Sequence, residues 1–471
     1  RLASDAEFVS VLKKDLAQPV DLTNEASIRA RVYDVAGEMY LSIVWHHIAF
    51  DGWSTDIFLN ELSEIYSSLK ENRTAELAEL DISYADYAAW QRKDLHGEKL
   101  ENLLAYWKEQ LSGYETLNLP TDHQRPADID YRGADYRFAL SGELSQQLRE
   151  LAKQCETTLY TVMLGAYYLT LSRLSGQQDI VVGMPSDNRQ YAQVQRLIGF
   201  FVNSLALRSD VAPELSVETF ITQVHNTVVQ AKSHQELPFE KVVSGLDLSR
   251  DPSRHPIFQT MFSLQNFGES SELNDRLPFT AVDLANAFGG ELLNEPAKFD
   301  LSVFLSDSDD EIRVHVNYAL SLFKQGSIAR IGDIFERVLR GFVSDARQSL
   351  SDIDVVSEQE RETLLNTWNA TQRDYPRDKT VHQMIEAQAV STPDSVALVF
   401  GDQQLTYAEL DFRANQLAAA ILDQYQQRHG EPMPPKPNGF MADIVASFVQ
   451  LILHIAKEPR EVDIQHYRQA D

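Results

Sequence analysis

A chain of 471 residues with one cysteine, Cys155, cannot close a disulfide within itself, and that cysteine has no metal-ligating neighbours at useful spacing. A reducing, cytoplasmic setting is expected. Long apolar runs are also missing. The most hydrophobic window, residues 440–456, is interrupted by Asp443, Gln450 and His454 and falls short of a membrane span. The first residues, RLASDAEFVSVLKK, carry charges where a signal peptide needs an apolar stretch, and they lack an initiator Met, so the chain is expected to begin in mid-protein. Positive charge is scarce: 42 Lys and Arg face 70 Asp and Glu, for a formal net charge of -28. Because the excess is spread along the chain, no nucleic-acid and no membrane partner is expected. There is no HExxH, no Cys-rich cluster and no solenoid-type repeat, so no metal site is expected either.

What is present is ordinary globular protein, 43% hydrophobic and 24% charged, long enough for about three average domains. Residues 28–44 read as two strands around the turn Ala36-Gly37-Glu38. The second strand runs into the loop HHIAFDG, and a helix follows. Ser54 or Thr55 is its expected cap, Asp56 sits in its first turn, and Ile57, Phe58, Leu62, Ile65, Tyr66 and Leu69 form one apolar stripe. More helix is expected from Tyr84 to Leu111, until the Pro-containing stretch 117–133 breaks the periodicity and marks a subdomain boundary. Beyond it, Leu144, Leu148 and Leu151 recur at helical spacing, a second helix runs from 159 to 174, and DIVVGMP reads as a buried strand. A helix carrying Phe220, Val224 and Val228, a strand IFQTMFSLQ from Ile257, and the alternation Ile312, Val314, Val316, Tyr318 complete an α/β texture of mixed sheets covered by helices. Four segments result: 1–120, 121–353, a linker at 354–378, and a second domain from 379 to 471 that starts with a helix and a strand.

The chemistry-bearing feature is the pair His46 and His47. Histidine titrates near neutrality, so a histidine at the end of a strand can accept a proton from a substrate nitrogen. Neighbours on an extended strand point to opposite sides. Only one of the two can then face a substrate, and His47 is the candidate, with His46 an inward-facing partner. Asp51 is placed to hold the loop through an ion pair, and Gly52 to take a backbone conformation closed to other residues. On residue types alone a purely structural pair stays open as the alternative.

The text WHHIAFDGWS, residues 45–54, resembles the HHxxxDG signature of condensation domains of nonribosomal peptide synthetases. Four further stretches fall in that family's order. Tyr84–Trp90 is similar to YxDYAxW, Ile198–Arg208 to IGxFVNxxxxR, and His234–Glu240 and Arg250–Phe258 to the next two elements. The resemblance implies two chloramphenicol-acetyltransferase-like subdomains in a V-shaped pseudo-dimer, with a tunnel between them. It implies amide formation between a donor aminoacyl or peptidyl thioester and an acceptor amine. Both substrates would be delivered on phosphopantetheine arms by upstream and downstream peptidyl carrier proteins, with an adenylation domain in cis.

Under this resemblance His47 is the catalytic or amine-positioning residue and Asp51 is structural. Arg189, in a GxPxxxR-like element, is either the cation for Asp51 or a solvated loop charge. Gly52 and Trp53 shape the loop, with the Gly52 amide facing the thioester carbonyl. Asn203 lies either near the tunnel or in a capped turn. His255, another tunnel candidate, stands where the family often has Asn. The family's SxAQxR and RHExLR elements are missing, which implies a first half without its opening strand and helix. LTYAEL at 405–410 resembles the start of an adenylation domain, but no Gly-rich nucleotide loop follows, and no GGxS element offers an attachment serine, so no covalently bound cofactor is expected. LPTDHQRP and HQELPFE are similar to condensation domains that take a D-configured donor. Competing readings are an epimerisation domain of the same fold, which FFVNS and HQELPFE disfavour, a coenzyme A-dependent acyltransferase without its DFGWG element, and a non-catalytic fragment or scaffold.

Overall fold

In the computed structural model two left-handed residues, Ala36 (φ 53°) and Gly37 (φ 99°), turn strand β1 (Ile28–Val35) back onto β2 (Glu38–Trp45). Positive φ at both central positions matches the right-handed twist of the flanking strands, which fixes the register Val35 to Glu38. The structure describes residues 4–246, 251–264, 279–280, 282, 296–308, 310–374 and 376–430. The apolar window at 440–456 and Arg250 lie outside them.

One face of the hairpin is covered by α1 (Asp5–Ala17), capped by Ser4 and buried through Phe8 and Leu12 against Tyr33 and Val35. Phe8, Leu12 and Leu16 recur at helical spacing along its packed side. Helix α2 (Ser54–Glu71) follows the histidine loop. Its expected stripe is only half used: Ile65, Tyr66 and Leu69 are 38%, 44% and 72% exposed. The helical stretch expected over 84–111 consists of two helices, α3 (Tyr84–Asp94), opened by a Ser83/Asp86 capping box, and α4 (Gly97–Gln110). Gly97, at φ 56°, makes the break.

Among the described residues the next six strands form one mixed sheet. In chain order they are β3 (Gly133–Ala139), β4 (Asp179–Ser186), β5 (Asn203–Asp210), β6 (Thr260–Leu264), β7 (Leu301–Asp307) and β8 (Ile312–Ala319). Their spatial order is β3-β8-β7-β6-β4-β5, with β4–β6 and β6–β7 parallel and the other pairs antiparallel. The strand expected from Ile257 starts three residues late. Ile257 itself sits at φ 73°, and Phe258 N–H turns back to the Pro256 carbonyl, so neither can join a ladder.

Helices α5 (Gly142–Gln154), α6 (Leu159–Ser175), α7 (Val217–Ser233) and α9 (Gln325–Ser344) pack with this sheet, while the short α8 (Phe239–Gly245) packs on α4. Every residue of α6 from Thr161 to Leu171 is buried, as expected of a helix that is apolar on all sides and enclosed by neighbours. Leu103, Trp107, Leu111, Leu117 and Leu119 belong to the same core. The chain thus passes the expected subdomain boundary at 120 already packed on the second half, which holds much the larger sheet and core.

Two compact units are present, Arg1–Arg361 and Glu362–Asp471, and the division falls inside the expected linker. The second contains α10 (Val381–Ser391), the hairpin β9 (Val396–Phe400) and β10 (Gln403–Thr406), and α11 (Tyr407–His429). Capping boxes at Thr380/Gln383 and Thr406/Glu409 start its two helices. Among the described residues no helix is long and apolar enough to cross a membrane.

Candidate active site

Strand β2 ends at Trp45, so the two histidines stand beyond it. His46 is the residue before a 3-10 turn at His47–Ala49, and the strand-alternation argument does not apply to them. Their hydrogen bonds separate them instead. His46 Nδ1 accepts from the Ile48 N–H at 3.1 Å, which places the proton of the neutral ring on Nε2. His47 Nδ1 lies 2.8 Å from the Phe50 carbonyl oxygen. A carbonyl only accepts, so this nitrogen carries a proton, and in the neutral ring Nε2 then keeps its lone pair. His47 is also the more exposed of the two. Beneath the loop, Trp45 stacks on Phe50 at 4.7 Å and meets Phe58 of α2 edge-on, which fixes the carbonyl that orients His47.

Asp51, buried to 1% exposure, collects five contacts. Its Oδ1 accepts from Ser54 N–H at 2.9 Å, Ser54 Oγ at 2.8 Å and Arg189 Nη2 at 3.1 Å; Oδ2 accepts from Phe201 N–H at 2.9 Å and Arg189 Nη2 at 3.4 Å. Arg189 is 6% exposed, so it is no solvated loop charge. It also donates to the carbonyls of Val194 (2.9 Å) and Leu197 (2.6 Å) and lies 4.2 Å from the centre of the Phe201 ring. A buried charge pair needs its other donors and acceptors met; here all are engaged except Arg189 Nε, which is buried without a hydrogen-bond partner.

Two expectations need correction. Neither Ser54 nor Thr55 caps α2: the cap position is Trp53, and Asp51 takes the Ser54 amide from three residues back, which frees the Ser54 hydroxyl to bind Gly199 N–H at 3.2 Å. Gly52 is not among the residues with positive φ, because the turn from Asp51 enters α2 through right-handed conformations that any residue can take.

The partner segment 198–203 is held with equal care. Tyr84 of α3 donates to the Phe200 carbonyl at 2.7 Å, and its ring packs edge-on against Phe201. Gly199 is required beneath it, since a Cβ there would sit 2.4 Å from the Tyr84 ring. Tyr87, Val194, Leu197 and Phe201 form a small core beside the ion pair, and burial pushes the Tyr87 phenol up to about 12. Tyr84, Tyr87, Gly199, Phe200 and Phe201 lie inside motifs legible in the sequence, YADYAAW and IGFFVNSLALR, whereas Val194 and Leu197 precede the second motif, and nothing in the sequence pairs the two motifs with the histidine loop.

Asn203 is spent on the backbone. Its Nδ2 donates to the carbonyls of Gln235 and Leu237, both at 2.8 Å, and its Oδ1 accepts from Phe239 N–H at 3.0 Å. This is the turn-holding alternative, and it pins HQELPFE to β5. His255 sits among Phe239, Phe258 and Phe299, with ring centres 5.9, 5.4 and 4.5 Å away, and burial lowers its pKa. It lines a small, partly open cavity of about 20 Å³ whose other walls, Arg125, Asp130, Asp300 and Leu322 among them, all come from beyond residue 120. The structure does not bring His255 to the histidine loop. Among the described residues no cluster of three or more His, Cys, Asp or Glu is placed to hold a metal.

Residues 3–365 match the family described as "Condensation domain". A linear gramicidin synthase protein of Brevibacillus parabrevis is 36% identical over 422 residues, which is 89% of this chain and 8% of that protein. N-(5-amino-5-carboxypentanoyl)-L-cysteinyl-D-valine synthase of Amycolatopsis lactamdurans is 39% identical over 430 residues, 91% of this chain and 11% of that protein. The chain therefore spans about a tenth of the length of these relatives. Among solved structures, the X-domain from teicoplanin biosynthesis superposes with a TM-score of 0.66 at 25% identity, covering 75% of this chain and 80% of that one. A four-domain nonribosomal peptide synthetase bound to AMP and glycine gives 0.72 at 22% identity, covering 91% and 32%. With most of its length matched in this way, the chain belongs to the condensation-domain family of nonribosomal peptide synthetases.

Proposed function

We propose that the chain forms an amide bond between a donor aminoacyl or peptidyl thioester and the amine of an acceptor aminoacyl thioester. Each substrate is carried on the phosphopantetheine arm of a peptidyl carrier protein, one upstream and one downstream. The observation that carries this reading is the His47 ring, anchored at Nδ1 by the Phe50 carbonyl with the Nε2 lone pair left to act. The acceptor nitrogen attacks the thioester carbonyl carbon. Its proton passes to His47 Nε2, the carbon–sulfur bond breaks, and the departing thiolate takes the proton back, so that atoms and charge balance and His47 is regenerated. Holding two carrier-borne groups in reacting geometry supplies the rest of the acceleration.

In this reading His46 and Asp51 are scaffold. Asp51 ties the histidine loop to the 198–201 segment through Arg189 and the Phe201 amide, and Trp53 shapes the loop while the Gly52 amide faces the thioester carbonyl. The donor is D-configured, supported by the resemblance carried by LPTDHQRP and HQELPFE. Residues 379–430 open an adenylation domain acting in cis, supported by LTYAEL spanning the end of β10 and the start of α11.

The experiment combines the chain with L- and D-aminoacyl donors on one carrier protein and an aminoacyl acceptor on another, reading the dipeptidyl product by mass spectrometry. The expected result is a product from the D-donor that disappears with His47→Ala. Product that persists in that variant overturns the role of His47, and preference for the L-donor overturns the stereochemical assignment.

A further inference from the structure

A single hydrogen bond fixes the direction of His47 Nδ1 but not the tilt of the ring about that bond. A second constraint comes from a residue 153 positions later, Phe200, whose ring centre is 5.1 Å from that of the imidazole with the planes at 81°. We propose that Phe200 is a positioning residue for His47, and that Tyr84 of α3 positions Phe200 in turn. The inference rests on the reading of His47 as the group that takes the acceptor's proton.

The backbone around Phe200 is committed on both sides. Gly199 N–H donates to Ser54 Oγ at 3.2 Å, the Phe200 carbonyl accepts from Tyr84 Oη at 2.7 Å, and Phe201 N–H donates to Asp51 Oδ2 at 2.9 Å. Two peptide groups, 198–199 and 200–201, are thereby fixed to the histidine loop, to α2 and to α3. The Phe201 side chain goes into the small core under Arg189, whereas the Phe200 ring stays half-buried and meets the imidazole. Perpendicular aromatic contact at this separation is a favoured arrangement for two rings. It costs the imidazole no hydrogen bond, so Nε2 remains open. Tyr84 is itself held by its packing on Phe201 and by the close fit over Gly199, which makes the phenol a rigid strut. A chain of contacts thus runs from YADYAAW through IGFFVNS to the HHxxxDG loop, and the residue that touches His47 occupies the variable position of the IGxFVN pattern.

The test uses the full 471-residue chain, labelled with ¹³C,¹⁵N-histidine, as wild type and as the Phe200→Leu, Phe200→Ala, Tyr84→Phe and His47→Ala variants. His47 ring resonances are assigned by their loss in His47→Ala, and condensation is followed with carrier-bound donor and acceptor. Phe200→Leu, close in volume, is expected to displace the His47 ring resonances and lower kcat roughly tenfold, as for modest misplacement of a reacting group. KM for both carriers should hold within a factor of about two, the mark of an interaction felt after binding. Phe200→Ala should do the same to a greater degree. Tyr84→Phe removes one hydroxyl and empties no volume, so it should reproduce the displacement in smaller measure even where a larger cut disturbs folding. Unchanged His47 resonances in all three variants overturn the inference. So does an unchanged kcat in the Phe200 variants while His47→Ala abolishes product. Full product from His47→Ala instead overturns the underlying role of His47, so the two failures are told apart.

Discussion

Arg189 Nη2 lies 3.1 Å from Asp51 Oδ1, joining residues 138 positions apart whose side chains are only 4% and 1% exposed. Removing either partner leaves a charge, or its unsatisfied hydrogen-bonding groups, inside the protein, a change that costs about 3–5 kcal/mol. Asp51→Asn and Arg189→Met should each lower the urea midpoint of the first unit strongly. The double variant should lose less than the sum of the two, because it strands no charge. Strict additivity in urea titrations followed by circular dichroism would show that the pair is not coupled.

Gly183, at the point where β4 meets β6, has the Phe258 ring lying where a side chain would begin: a Cβ would stand 2.3 Å from that ring. Phe258 is fully buried and cannot swing away. Gly183→Ala is expected to destabilise by about 1–3 kcal/mol, the usual range for overpacking. Adding Phe258→Leu to it should cost less than Phe258→Leu costs in the wild type, since the alanine methyl fills space that the smaller side chain vacates. Thermal unfolding of the four proteins gives the comparison.

Much of this was legible in the sequence, and the limits have physical reasons. The strands around Ala36-Gly37, the helices behind Leu144 and Phe220, and the alternation from Ile312 to Tyr318 follow from periods of 2 and 3.6 residues, which are local properties. The break at Leu95–His96 and the late start of β6 were not legible. They depend on single left-handed residues, Gly97 and Ile257, and an isoleucine in that conformation has no sequence signature. At the site, the HHxxxDG loop marks the two histidines and Asp51, while the sequence leaves Arg189 open between the cation for Asp51 and a solvated loop charge. Which histidine nitrogen is free depends on the fold of one short turn, His47 to Phe50, and that Ser54 and Gly199 bridge the loop to its partner segment depends on a contact across 145 residues that no local pattern encodes.

Asn203 satisfies the carbonyls of Gln235 and Leu237 through one amide nitrogen and the Phe239 amide through its oxygen. Asn203→Asp keeps the shape and replaces the donor with an acceptor, so the two carbonyls lose their partner. Buried groups left unpaired cost about 1–3 kcal/mol each, and with two carbonyls stranded the variant should be less stable by roughly 2–6 kcal/mol. Amide exchange in residues 234–240 should quicken more than elsewhere in the first unit. Exchange that stays at the wild-type rate there would mean that HQELPFE is held by other contacts, such as Trp107 Nε1 donating to the His234 carbonyl at 3.2 Å.

His255 offers a prediction in pH. Burial among Phe239, Phe258 and Phe299 holds its pKa below the ordinary 6.5, because the charged ring loses more solvation there than the neutral one. The unfolded chain then binds the proton more readily than the folded one. The stability linked to the neutral ring is fully present above pH 6.5 and is lost as pH falls from there through the depressed folded value. Urea midpoints measured from about pH 7.5 down to about pH 5 should therefore decline more steeply in the wild type than in His255→Phe, whose ring suits the aromatic cluster and does not titrate. Carboxylates titrate in both proteins, so the difference between the two slopes isolates His255. Parallel slopes would mean that the imidazole reaches water through the cavity it lines and takes up its proton without cost to the fold.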